Sequence, residues 1–296
     1  MTPGGSGARL DGNLPRRKRR EAVFKVLMIG STALVGASLL LIVGAIIWKS
    51  VPALRLTMIT QTPKGGYYLG KEGGILNAIL GSLYLGLGAT AAAFVLSLPL
   101  ALHLNLYRKN GAPSAGRARL FLDVLWGIPS IVYGAFGFLV MMALGLRVSL
   151  LAGILTVALL EFPIMSRAID EVVRLVPREL REASDSLGAT RFETAFKVIV
   201  RQAAPGILTA VLMAFGRGIG DAASVLFTAG FTDRVPHSLL EPAATLPLAI
   251  FFQLGTPFPE VRERAYASAA ILTLIVLLIS VTARRFARRK ARHVVK

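Results

Sequence analysis

The sequence has no cysteine, only three histidines and few charged residues for its length. Charged side chains make up 17% of the 296 residues, against about 25% in a typical soluble domain. The absence of cysteine excludes disulfides, thiolate metal sites and thiol catalysis. The histidines stand far apart, at His103, His237 and His293, so they do not form the cluster that a membrane-embedded enzyme would need. The chain also lacks a Gly-x-x-x-x-Gly-Lys-Ser/Thr loop, so any ATP hydrolysis belongs to another protein.

Apolar residues dominate the remainder, at 54% of the chain with a mean hydropathy of +0.63. A membrane-spanning helix needs about 20 mostly apolar residues. The first candidate stretch is too long for a signal peptide and no small-residue cleavage site follows it. We therefore predict an all-α integral membrane protein with six transmembrane helices. The predicted spans are Val26–Trp48, Ile75–Leu102, Leu120–Leu144, Val148–Ser166, Ala203–Gly230 and Ala265–Ala283.

The basic residues are unevenly distributed around these spans. A net charge of +18 could indicate nucleic-acid binding. If both termini lie inside, however, 24 of the 34 basic residues fall on inner segments, which is the pattern that orients membrane proteins. We therefore predict cytoplasmic termini and no nucleic-acid partner; the basic run at 16–20 could also contact anionic lipid. The predicted segments are a disordered N-terminus (1–22), a permease domain (23–286) with an inner loop (167–202), and a basic tail (287–296).

The inner loop carries the most specific local pattern. Helical spacing of its apolar residues ends at Pro177, and a second, charged helix is predicted over Arg178–Leu187. Gly188 then suits the C-terminal cap of that helix. Thr190 and Glu193 have the spacing of a capping box for the next helix. A short capped helix on this loop could dock another protein, and the alternative is a solvated connector.

This loop resembles the Glu-Ala-Ala-x-x-x-Gly signature of ABC importer permeases. The resemblance implies the type I importer fold and a helix that inserts into a groove of an ATPase subunit. The implied coupling residues are Glu182, Ala183, Ser184, Gly188, Ala189 and Thr190. Val200-Arg201 stands where the family has Leu-Pro.

Four other stretches resemble the phosphate branch of that family. They are Gly73–Leu83, Gly127–Gly134, Gly216–Ala229 and Leu246–Phe251. The third stretch is similar to the family's Gly-Arg-Ala-x-Gly-Glu-Thr-Ala-Pro, with Asp221 in place of Glu and Ser224 in place of Pro. The resemblance extends over residues 73–286.

The resemblance implies a non-enzymatic subunit that forms half of a phosphate import pathway in a bacterial or archaeal plasma membrane. Its implied partners are a PstC-like second permease, two PstB-like ATPase subunits, a PstS-like extracytoplasmic binding protein and membrane lipid, with no cofactor. Another oxyanion such as molybdate or sulfate is the alternative substrate. A secondary transporter or channel is a further alternative, although the sequence shows no inverted repeat of the kind that favours one.

Two ionisable residues stand inside the fifth span. Arg217 and Asp221 are four apart and share a helix face. Because a charge at a span's centre costs roughly 2.5–3.5 kcal/mol, such residues usually face a cavity or a partner. We predict that Arg217 binds the anion through its planar fork, while Asp221 orients it or accepts a hydrogen bond from a protonated phosphate. The alternative is a structural ion pair.

Three further ionisable residues lie nearer the inner side. Arg167 matches an arginine that recurs in phosphate permeases, so we predict either a pathway role or an anchor at the inner face. Glu161 is expected to pair with Arg167 or with a neighbouring subunit. Asp123 is expected to be structural.

Overall fold

The computed structural model describes residues 14–67, 73–107 and 113–290. In these ranges the regular elements are helices, which confirms the predicted all-α class. Short π-helical turns at His103–Tyr107 and Thr194–Ile199 follow α3 and α8. The helices are α1 Leu14–Ser50, α2 Leu56–Thr60, α3 Leu76–Leu102, α4 Pro113–Trp126, α5 Ser130–Ala143, α6 Leu150–Arg174, α7 Arg178–Ser186, α8 Arg191–Glu193, α9 Val200–Ile219, α10 Leu246–Leu254 and α11 Pro259–Lys290.

Five helices in the described ranges are long and apolar enough to cross a membrane, and the pair α4 and α5 makes a sixth span if taken together. That pair corresponds to the predicted span Leu120–Leu144, and its two members meet at 96°. Pro129 lies at the bend with an extended backbone (ψ 139°), as expected for a residue that lacks an N–H and disfavours helix at the position before it. The Tyr133 hydroxyl donates to the Leu125 carbonyl at 2.8 Å and so satisfies the end of α4.

At both ends of the described residues, helix extends into the predicted terminal segments. Helix α1 begins at Leu14, so residues 14–22 belong to it and are not disordered. The sequence favours this, since Arg, Lys, Glu and Ala are good helix formers and Pro15 is tolerated in a first turn. Helix α11 likewise continues to Lys290 within the predicted tail. Residues 1–13 and 291–296, which complete the two predicted terminal segments, lie outside the described residues.

The core of the unit formed by residues 49–296 is the contact of α3 with α6 and α9. Ala89 and Ala93 of α3 are fully buried in it. Gly153 of α6 comes so close that a β-carbon there would stand 2.8 Å from Leu85 Cδ1. Small residues at such contacts let membrane helices approach closely, so that dispersion forces hold them together.

The fifth predicted span, Ala203–Gly230, is helical only as far as Ile219. Residues 220–230 form turns. Gly218 and Gly220 weaken the helix here, and the Asp221 carboxylate accepts the Ser224 N–H at 2.7 Å, which stabilises a turn. This correction places the Arg217–Asp221 pair at a helix end instead of in mid-helix.

The segment after these turns packs against the helical bundle. Helix α10 contacts α3 and α11, and its Leu246 and Leu248 are buried. The Leu246 N–H donates to Ser82 Oγ at 2.7 Å, and Asn77 Nδ2 donates to the Thr232 carbonyl at 2.6 Å. These bonds give the first of the four family-like stretches, Gly73–Leu83, a structural role at the start of α3.

Candidate functional site

The short helix α7 has the caps that its sequence predicts. Helix α6 ends at Arg174 and Pro177 precedes α7. Gly188 adopts φ +76°. Its N–H donates to the Asp185 carbonyl at 3.0 Å, and the Ala189 N–H donates to the Ser184 carbonyl at 3.2 Å. This pair of bonds is the Schellman arrangement, which depends on a left-handed residue after the helix.

The next turn also follows the prediction. The Thr190 hydroxyl accepts the Glu193 N–H at 3.3 Å, and the Glu193 carboxylate accepts the Thr190 N–H at 3.1 Å. The capping box is therefore complete. Together with the Gly188 turn, it fixes the direction of the chain as it leaves α7.

The six predicted coupling residues divide into two groups. Ser184 is buried, and its hydroxyl lies 2.9 Å from the Thr194 hydroxyl. It therefore holds α7 against the π-helical turn before α9, a contact that the sequence pattern did not indicate. The remaining five are exposed or half-buried. Leu187 and Phe192 beside them are 88% and 64% exposed, an apolar surface suited to a protein partner.

Arg217 and Asp221 are brought together, as predicted from their spacing. Arg217 Nη1 lies 3.5 Å from Asp221 Oδ1; the arginine side chain is 50% exposed and the aspartate 5%. The second oxygen of Asp221 accepts the Ser224 N–H. The carboxylate is thus held by the turn, while half of the arginine side chain stays accessible to an anion or a partner subunit.

The turn at Asp221 also touches the bend of α4 and α5. A β-carbon on Gly134 of α5 would stand 2.8 Å from the Ala223 carbonyl oxygen and 2.9 Å from that of Ser224. Two separate family-like stretches, Gly127–Gly134 and Gly216–Ala229, therefore meet in space.

Arg167 belongs to a different cluster. Its Nε lies 2.6 Å from Asp123 Oδ1, and its Nη1 lies 3.0 Å from Asp170 Oδ2 and 3.3 Å from Glu171 Oε1. With three carboxylates around it, this guanidinium joins α4 to α6. The arrangement supports the predicted structural role of Asp123.

Comparison with known proteins decides the family. The model for "Binding-protein-dependent transport system inner membrane component" matches residues 93–295. The chain belongs to this family. It is therefore a permease, a membrane component of a transport system and not an enzyme.

Curated relatives of the permease share one name. The phosphate transport system permease protein PstA of Haemophilus influenzae is 34% identical over 249 residues, covering 83% of this chain and 86% of the relative. The PstA of Yersinia pestis is 32% identical over 93% of this chain and 92% of its own length. The probable PstA of Methanocaldococcus jannaschii is 34% identical, with 90% and 94% covered.

Solved structures confirm the importer permease fold. A chain of the inward-facing MetNI methionine ABC transporter superposes with a TM-score of 0.61 at 20% identity, covering 73% of this permease and 95% of that chain. A chain of a bacterial alginate ABC transporter superposes with a TM-score of 0.58 at 15% identity, covering 96% of this permease and 100% of that chain. At these identities the likeness concerns the fold alone.

Glu161 of the permease does not pair with Arg167, one of the two partners predicted for it. It is fully buried, and its carboxylate has no hydrogen-bond partner among the described residues. Arg167 is six residues away, about 9 Å along the helix axis, and therefore out of reach. The carboxylate lies against Gly218 of α9 instead, where a β-carbon would overlap it and stand 2.9 Å from Val157 Cγ1. Thr90 of α3 lies beside it without hydrogen-bond geometry.

The two departures from the family's pattern at the Asp221 turn are physically linked. The Ser224 N–H that holds Asp221 would be missing if proline stood at 224, as in the family. We expect Ser224→Pro to cost about 1.5–3 kcal/mol of unfolding free energy, the value of a hydrogen bond to a charged group. Thermal or denaturant unfolding in detergent measures the change.

The matched control for this prediction is Ser224→Ala. It keeps the N–H and removes only a hydroxyl that has no hydrogen-bond partner among the described residues, so stability should hardly change. In an Asp221→Ala background, Ser224→Pro should lower the unfolding free energy by less, since the hydrogen bond from the Ser224 N–H to the Asp221 carboxylate is already lost. Equal losses for the alanine and proline variants would contradict the prediction.

Proposed function

We propose that this permease moves inorganic phosphate into the cytoplasm as half of an ATP-driven import pathway. The observation that carries the proposal is the Arg217–Asp221 pair at the end of α9, where a held carboxylate leaves the guanidinium half-exposed. Arginine recognises phosphate oxygens through parallel N–H donors. The names of the 32–34% identical relatives support phosphate as the anion.

Asp221 gives a reason for the choice among oxyanions. Phosphate is partly protonated near neutral pH and can donate a hydrogen bond to a carboxylate beside the arginine. Sulfate is fully ionised and lacks that donor, so a carboxylate next to its path repels it. The proposal therefore assigns anion attraction to Arg217 and selection to Asp221. Arg167, surrounded by three carboxylates, is assigned to holding α4 on α6 and not to the pathway.

The energy for transport would enter through α7. The exposed face around Glu182 and Gly188, with Leu187 at its tip, suits a groove of an ATPase subunit. We propose two such ATPases, a second permease that completes the pathway and an extracytoplasmic binding protein that delivers phosphate. The proposed location is the plasma membrane with both termini cytoplasmic, in keeping with the distribution of basic residues.

The test is uptake by the assembled transporter in vesicles. We expect phosphate uptake that requires ATP inside the vesicles and the binding protein outside. Excess sulfate or molybdate should not compete with this uptake. Uptake of sulfate or molybdate in preference to phosphate would overturn the substrate assignment. Phosphate uptake that persists without ATPase subunits would overturn the assignment as an ATP-driven importer.

A further inference from the structure

The side chain of Asp170 on α6 is fully buried and is the centre of a charged cluster. Arg119 of α4 binds it through two donors, Nε to Oδ2 at 2.8 Å and Nη2 to Oδ1 at 2.9 Å. Asn105 Nδ2 donates to Oδ1 at 2.8 Å, and Arg167 Nη1 donates to Oδ2 at 3.0 Å. Asp170 with Arg119, Asn105 and Arg167 is called the Asp170 cluster below.

The Asp170 cluster is connected to α7. Arg181 Nη1 donates to the Asn105 carbonyl oxygen at 3.0 Å, and the Asn105 side chain donates to Asp170. Asn105 lies in the π-helical turn that follows α3, a type of irregularity that often marks functional sites. Within the described residues, a continuous chain of hydrogen bonds therefore leads from α7 to the buried carboxylate.

The Asp170 cluster also binds α4, the first half of the bent span. Arg119 and Asp123 are four residues apart on α4 and share a face. Arg119 binds Asp170 directly, and Asp123 binds it through Arg167. Because separating one partner would leave a buried charge unpaired, α4 and α6 are held firmly together at this point.

Helix α7 has a second attachment that points elsewhere. Its Ser184 contacts Thr194, in the turn that leads into α9. A displacement of α7 can therefore be transmitted along two routes, one to α9 and one to the Asp170 cluster. The first leads along α9, which carries Arg217 in its last turn. The second leads to α4, whose partner α5 touches the turn after Asp221.

We propose that Arg181 and Asn105 are positioning residues that transmit the displacement of α7 to α4 through the Asp170 cluster. The inference rests on the proposed function, since it assumes that an ATPase moves α7. Losing one hydrogen bond from a charged donor changes an equilibrium by roughly tenfold or more. The loss should appear in the coupling of transport to ATP, because neither residue touches the Arg217–Asp221 site.

The test is Arg181→Met in the complete transporter, with phosphate uptake and ATP hydrolysis measured in the same vesicles. Methionine keeps an apolar stem but removes the donor. We expect phosphate imported per ATP to fall about tenfold, with the ATPase subunits still bound. Arg201→Met is the control, since Arg201 lies exposed on α9, outside α7, and makes no hydrogen bond or ion pair in the described residues. The amount of phosphate imported per ATP by this control variant should equal that of the unaltered transporter.

Asn105→Ala removes the next link and should give a similar loss. In a serial relay the double variant is no worse than the more severe single variant. Normal ratios in both single variants, or losses that multiply in the double variant, would overturn the relay. Absence of phosphate uptake by the unaltered transporter would instead overturn the proposed function, so the two failures are distinct.

Discussion

Replacing Gly188 by valine is expected to reduce ATP-driven uptake to background while the permease still inserts and assembles. Gly188 has φ +76°, a conformation that costs L-residues about 1–2 kcal/mol and a β-branched residue more. The Schellman turn would open, because its two bonds depend on that conformation. The tip of α7 would then leave the path that the Thr190 capping box fixes. Uptake in vesicles and co-purification of ATPase subunits measure the two effects.

Gly145 offers a matched control at the end of α5. It has φ +67° and, like Gly188, no atom within 4 Å of a β-carbon, so valine there imposes a similar backbone strain away from α7. Gly145→Val should keep most uptake, and Gly188→Asn should keep part of it because asparagine tolerates left-handed backbone. Normal uptake by Gly188→Val, or equal loss in Gly145→Val, would show that the turn has no special part in coupling.

Replacing Arg217 by glutamine is expected to lower phosphate uptake by well over tenfold. The change removes the charged group that donates hydrogen bonds to the anion. It also leaves the Asp221 carboxylate, which is only 5% exposed, without its cation. ATPase subunits should still co-purify, because α7 is unchanged. Arg201→Gln is the control: Arg201 lies on the same helix, exposed and without a contact in the described residues. Its uptake should match that of the unaltered transporter.

A double variant separates anion binding from a structural ion pair. In Arg217→Gln with Asp221→Asn, no unpaired charge remains, so thermal stability should recover. If Arg217 binds the anion, uptake should stay low. Recovery of uptake together with stability would identify the pair as structural and contradict the proposed site.

The features predicted well from the sequence are those set by neighbouring residues. The turn at Gly188 and the capping box at Thr190 depend on a few adjacent positions, so the residue types alone indicate them. Hydropathy likewise identified each apolar stretch. The spacing of Arg217 and Asp221 predicted their contact even though the helix ends between them.

The features missed depend on contacts between distant segments. The 96° bend between α4 and α5 lies at Pro129, and beyond it α5 packs onto the Asp221 turn, which is distant in sequence. Asp170 lies 51 residues from Arg119 and 65 from Asn105, so no local pattern connects them. For Glu161 the expected partner was Arg167 or a neighbouring subunit, whereas tertiary packing placed it against Gly218. Buried polar residues are the part of such a chain that a single sequence leaves least determined.

The Glu161 side chain of α6 packs directly against Gly218 of α9. The carboxylate occupies the space that a side chain at 218 would need, so any side chain there requires Glu161 to move. Gly216, two residues earlier, faces open space and imposes no such condition. The side chains at 161 and 218 are therefore linked in size: a larger residue at 218 requires residue 161 to shift or to be smaller.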